Sequence, residues 1–403
     1  MDSLQSFSSF IQESSNLHMT HIEDSVLYGG VDGTREAINA MRSLRNSLAG
    51  HVDRSKNVTL KADGAPAVFA GTVPANNEKA GEFFVAKKSL FNKTPKYYTT
   101  PEEVDADTSG DLAEKLKSAL RYLKNTIRSN GVFQGDFMYG EGDVKTETID
   151  GTEYYTFQPN TIVYAVPTDS ELGKRIRKSR IGVIFHTRYE GDSFEEMSDS
   201  ASFDVDIDRD FVQTKEVWAE DANIKDLSGT ATMTEKDTEE VTKALSVAGS
   251  IFQKISGTTL RQLEKNPDLA RQIEQFNNTF VRKGEQIKDT KKHVNDLIKW
   301  FNDRFEQEAD KRKTQKGRDA QFQKRDEILQ FFSDDNKRNL KMMFDLQKAI
   351  VDAKLIIINK LDKLNSMNTF VRTEDGYKVT GQEGYVAVDH LSNNALKLVD
   401  RLE

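Results

Sequence analysis

Six of the seven prolines fall between residues 66 and 167, at 66, 74, 95, 101, 159 and 167, and only Pro267 follows them. Proline lacks a backbone donor and breaks helices, so no long helix can run through that region. Between the breaks, short runs rich in β-branched and aromatic residues recur. They predict strands at 57–61, 67–72, 82–87, 132–138, 153–157, 161–166, 181–188 and 211–218. One amphipathic helix interrupts them, with Leu112, Leu116, Leu120, Leu123 and Ile127 on one face. Strands joined by turns rather than by regular crossover helices predict an antiparallel α+β domain over residues 51–230.

The remaining chain has the opposite texture. Residues 1–50 predict a mainly helical segment after a Ser-rich start, with Ala37, Ile38, Met41, Leu44 and Leu48 near a helical period. His18, His21 and Glu23 could be written as a metal site, but nothing else in that segment supports one. Beyond Trp218 the chain turns acidic and then helical. Asn266 and Pro267 read as an N-cap and first helical position, and the apolar stretch 340–364 as the central helix of a hairpin or bundle. Strands return at Thr369-Phe370-Val371, in a hairpin turn at Asp375-Gly376, at Tyr385–Val388 and at Leu396–Val399. Residues 231–367 are therefore expected to be a helical insertion, with 368–403 supplying the closing strands of the sheet domain.

The 403 residues contain no cysteine, which excludes disulfides and thiolate metal sites. The longest aliphatic run, Leu355–Ile358, is far too short to span a membrane, and the N-terminus lacks the form of a signal peptide. A cytoplasmic location fits, that of the host if a phage encodes the chain. Net charge is −8, so no global basic field points to nucleic acid. The charge is uneven, however: residues 311–325 hold 7 bases and 1 acid, a local basic stripe or simply a solvated helix face.

Lys61-Ala62-Asp63-Gly64-Ala65-Pro66 sits between two predicted strands, where Gly64 and Pro66 reverse the chain. A lysine beside a tight turn, with an aspartate two residues on, suits covalent capture of a phosphoryl group, since glycine permits close backbone approach. Four other stretches bear comparison: Gly135-Asp136 in an apolar strand, Tyr164 within Thr161–Val166, Glu383-Gly384-Tyr385-Val386, and Lys397 within Leu396–Val399. Taken singly each has a structural explanation.

In this order they resemble the covalent nucleotidyltransferase superfamily of ATP-dependent DNA and RNA ligases and mRNA capping enzymes. Lys61–Gly64 matches its Lys-x-Asp-Gly motif, and Glu383–Val386 its Glu-Gly-x-Val motif. Gly135-Asp136 resembles its Gly-Glu strand with a shorter acid, and Lys397 its lysine-bearing closing strand, with one lysine where two are usual. Lys87-Lys88-Ser89 lies where the family has a Ser-Arg motif. The chain is also similar to ligase-like proteins of large tailed bacteriophages, in stretches such as Phe157–Pro167.

The resemblance implies an antiparallel-sheet nucleotidyltransferase (ATP-grasp-like ligase) domain with a large all-helical insertion. It implies that Lys61 attacks the α-phosphorus of ATP to form lysyl-AMP, with Asp63 in the catalytic set. Glu383 and Asp136 would hold Mg²⁺, while Lys397 and Lys88 would hold phosphate oxygens beside Gly64, and Tyr164 would stack on adenine. Glu383 and Lys397 are expected to return to Lys61. AMP would pass to the 5′-phosphate of an RNA or DNA end or nick, and the helical insertion could contact nucleic acid or a protein. The shorter acid and single lysine leave open a nucleotide-binding or interaction protein that keeps the fold without ligating. AMP transfer to another kind of target is also open.

Overall fold

The β-branched pair in Asn57-Val58-Thr59-Leu60 favours a strand, and the computed structural model has this strand, β1, at Lys56–Lys61 with Thr59 buried. The structure describes residues 21–49, 56–223, 233–362, 367–374, 376–389 and 394–401. It is a mixture of helix and mainly antiparallel sheet, and divides into two units.

The first unit comprises the described residues within 54–229 and 361–395. After β1 come β2 (Ala67–Thr72), β3 (Phe83–Ala86), β4 (Val132–Tyr139), β5 (Lys145–Ile149), β6 (Thr152–Phe157), β7 (Val163–Pro167), β8 (Ile181–Tyr189) and β9 (Val217–Asp221). The later segment adds β10 (Asn368–Thr373), β11 (Gly376–Val379) and β12 (Gly384–Asp389). One five-stranded sheet has the order β3-β2-β4-β8-β9 and the other β11-β10-β7-β6-β5. Only β8 and β9 run parallel among the register-described pairs. β12 lies antiparallel to β1. The helix Gly110–Leu123 packs Leu116, Ala119 and Leu123 onto Val85, Phe133 and Phe185 of the first sheet.

Three local expectations change. The strand expected at 211–218 begins at Val217 instead, because Asp206 caps a short helix Ile207–Asp210 whose Asp210 is buried among arginines. β5 escapes notice because its side chains are mostly polar and exposed. The single helix expected among the strands has company at Pro101–Asp107 and Glu171–Lys178, capped by Thr100 and Ser170. Both are too short to display a hydrophobic period.

The second unit comprises residues 20–53, 230–360 and 396–403. The N-terminal helix Gly30–Leu48 thus belongs with the insertion rather than standing alone: its Ile38, Met41 and Leu44 are buried where it packs on Glu235–Phe252 and Gly257–Glu264. Helices Pro267–Val281, Thr290–Asp310, Gln315–Gln330 and Asp334–Leu361 complete the unit. The last buries Leu340, Met343, Leu346, Ile350 and Ala353, the apolar stretch read as central. It also buries Lys354, 1% exposed, whose amine bonds both Glu23 oxygens at 2.9 and 3.0 Å. The last strand, β13 (Asn394–Leu398), crosses the division between the units, so the closing segment does not belong wholly to the sheet unit. Among the described residues no helix is long and apolar enough to cross a membrane.

Candidate active site

Antiparallel pairing sets the site. β1 and β12 run in register from Lys56 opposite Asp389 to Lys61 opposite Gly384. The end of one strand therefore meets the start of the other, and Glu383, 322 positions after Lys61, ion-pairs with its amine. The two side chains remain 26% and 34% exposed, open to a ligand.

The turn after Lys61 is tied down on two sides. Asp63 is buried and its carboxylate accepts three hydrogen bonds from one loop: Asn160 Nδ2 donates to Oδ1 at 2.8 Å, and the backbone amides of Thr161 and Ile162 donate to Oδ2 at 2.7 and 2.8 Å. Its own amide donates to the Tyr164 hydroxyl at 2.7 Å. With its carboxylate so occupied, Asp63 holds the turn that carries Lys61. On the other side Gly64 lies against β4, where a Cβ would come 2.4 Å from that of Asp136. Its glycine is required by a neighbouring strand as well as by any phosphate.

Asp136 stands opposite Ala67 in the β2–β4 ladder. Burial pushes its carboxyl up to about 7, against the lowering charge of Lys61, while Glu383 and Asp63 push it further up. The charge of Lys88 also reaches it. Lys88 is exposed and has no ion-pair partner among the described residues, whereas its neighbour Lys87 is held by Asp107 at 3.0 Å.

Two further expected site residues are held by contacts of their own. Tyr164 is 0% exposed, its ring stacked on Phe157 at 5.6 Å, so it has no face open to adenine. Lys397 belongs to the second unit, where its backbone bridges that of His21. Of the weak metal candidates, His18 lies outside the described residues, and Glu23 is committed to Lys354.

His186 was not anticipated. The β4–β8 register passes from Gln134 opposite Thr187 to Gly135 opposite Phe185, leaving His186 as the extra residue of a bulge. Its Nε2 lies 3.8 Å from Asp136 Oδ2, and its Nδ1 2.7 Å from Thr187 Oγ1. Burial, with Lys61 nearby, lowers it to about 4, so the imidazole is neutral at pH 7. The only trace in the sequence is the adjacent polar pair His186-Thr187, which breaks the alternation of an apolar strand.

No group of three metal-ligating side chains gathers among the described residues. What does gather is one amine, two carboxylates, an imidazole and an exposed lysine, on five separate segments of one unit. Such a cluster can hold a nucleophile beside an anion and a hard cation. Residues 16–403 match a family of unknown function (DUF6267). No curated protein and no solved structure matches the chain. It belongs to that DUF6267 family.

Proposed function

We propose that this DUF6267 protein is an ATP-dependent nucleotidyltransferase of the polynucleotide-ligase type, its sheet unit a nucleotidyltransferase domain. The observation that carries the reading is the Lys61–Glu383 ion pair, joining two motifs 322 residues apart. It is supported by Asp136 across the Gly64 turn and by the exposed Lys88.

In the first step the Lys61 amine, released from Glu383 and without its proton, bonds to the α-phosphorus of ATP. The bond to the bridging oxygen breaks and pyrophosphate leaves, giving lysyl-AMP. A nucleic acid 5′-phosphate oxygen then attacks that phosphorus, breaking the P–N bond and returning the amine. Finally a 3′-hydroxyl attacks the activated 5′-phosphate, sealing the strand and expelling AMP. Lys88 supplies positive charge toward the phosphates. Asp63 keeps the turn in place, and neither Tyr164 nor Lys397 is assigned a role.

The donor set suits Mg²⁺, which takes one or two carboxylates and completes its octahedron with water and phosphate oxygens. Glu383 and Asp136 would hold it, where it would neutralise phosphate charge. In the sequence of steps, Asp136 becomes a better ligand as it ionises near pH 7.

Incubation with α-labelled ATP tests the reading: label should survive denaturation and be absent from Lys61→Ala. Absence of an adduct with any divalent metal, or an undiminished adduct in the variant, contradicts it. A second reading, a nucleotide-binding protein that does not transfer AMP, is favoured by the buried Tyr164 and by an acid that resists ionisation. ATP binding without an adduct would select it. AMP transfer to another target would appear as an adduct that no nicked duplex, RNA–DNA hybrid or single-stranded RNA discharges.

A further inference from the structure

Several surface cations of the helical unit are matched by acids of their own helix. Lys292 with Asp296, Lys341 with Asp345 and Lys348 with Asp352 are examples at one-turn spacing. The groove lined by Lys115, Lys117, Arg121 and Lys124 also carries Asp111, Glu114, Glu141 and Asp143, and so presents no field to a polyanion.

Residues 311–325 differ in density, with 7 bases and 1 acid. The helices Thr290–Asp310 and Gln315–Gln330 form a hairpin in the second unit, and this stretch covers its turn and the start of its return helix. Lys311 pairs with Glu308, and Arg325 with Asp326. Asp319 accepts from Gln315 at 2.7 Å and Glu327 from Gln323 at 3.1 Å. Arg312, Lys313, Lys316, Arg318 and Lys324 are left with no ion-pair partner among the described residues, and all but Arg318 are exposed.

The helix that carries them is unusual in a second way: none of its 16 residues is buried. It packs on Thr290–Asp310 without burying a residue, and its internal pairs occupy Asp319, Glu327 and Arg325, leaving the other cations to solvent. Phe322 is partly buried, with the Arg325 guanidinium, itself paired with Asp326, 5.0 Å from its ring centre. A planar aromatic–guanidinium surface between unpaired cations suits a base flanked by phosphates better than it suits a carboxylate-bearing protein.

We propose that this hairpin turn is a docking surface for the phosphate backbone of a single-stranded nucleic acid. The inference is independent of AMP transfer, and its test needs no ATP. Binding of a fluorescent oligonucleotide of about 20 residues, as DNA and as RNA, is measured on the full chain across a salt series. The comparison is a variant with R312Q, K313Q, K316Q, R318Q and K324Q, whose fold is checked by circular dichroism; none of these side chains is buried.

The wild-type chain should bind with log affinity falling steeply as log salt rises. The variant should bind at least tenfold more weakly at 100 mM salt. Its slope should be shallower by about 3.5, at roughly 0.7 per neutralised phosphate on a single strand. Poly-glutamate should not displace the oligonucleotide at matched charge. No binding by wild type at low salt, equal affinity and slope in the variant, or equal displacement by poly-glutamate would each overturn the proposal, the last in favour of an acidic protein.

Discussion

Asp136 sits opposite Ala67 with its carboxyl kept protonated, by burial, up to about pH 7. An unfolded aspartate ionises near pH 4. The folded state therefore prefers the protonated acid, and the chain loses stability as pH rises from about 4 to about 7. Asp136→Asn removes that loss. The variant should match wild type near pH 4 and exceed it at pH 8 by roughly 2 to 4 kcal/mol, at about 1.4 kcal/mol per pK unit. Urea unfolding at both pH values checks this, and a difference independent of pH would deny the burial account. The same ionisation predicts that less Mg²⁺ is needed for adduct formation as pH rises through about 7.

Among the elements, the turn after β1 is joined to the loop before β7 by the Asp63 carboxylate. Asp63→Ala leaves two backbone amides and a side-chain amide without their acceptor. It should cost about 3 kcal/mol, the scale for stranding buried donors of a charged acceptor. Melting curves would reveal it, whereas normal stability with a slowed adduct would return Asp63 to the chemistry. The elements also mark what could be read beforehand. β1, β2 and β12 are short apolar or β-branched runs beside Gly or Pro, so the strands and the candidate turn were legible, and Glu383 stood out as the acid beginning a strand. The bulge at His186 was not, since an extra residue shows only against its partner strand. The burial of Tyr164 was not either: a tyrosine for a core and a tyrosine for a base have the same flanking sequence. Lys397 illustrates a third limit, because the unit to which a strand end belongs depends on contacts far from it in sequence.

At the scale of the molecule, the helical unit is assembled from three chain segments around a buried Glu23–Lys354 pair, supported by Arg401 at 3.4 Å from Glu23. Lys354→Ala leaves a buried carboxylate with one cation and should destabilise this unit by about 3 kcal/mol. A loss below about 1 kcal/mol, by circular dichroism in urea, would mean that water already reaches the pair. Excising only the insertion would strip Ile38, Met41 and Leu44 of their cover, so it cannot report cleanly on the sheet unit. Point changes in the full chain can. The most direct test locates the label left by α-labelled ATP and Mg²⁺ by peptide mass spectrometry. AMP on Lys61, lost in Lys61→Ala and at least a hundredfold slower to form in Glu383→Ala, is the predicted result. No AMP on the chain, or AMP on another residue with Lys61 unmodified, would contradict the account.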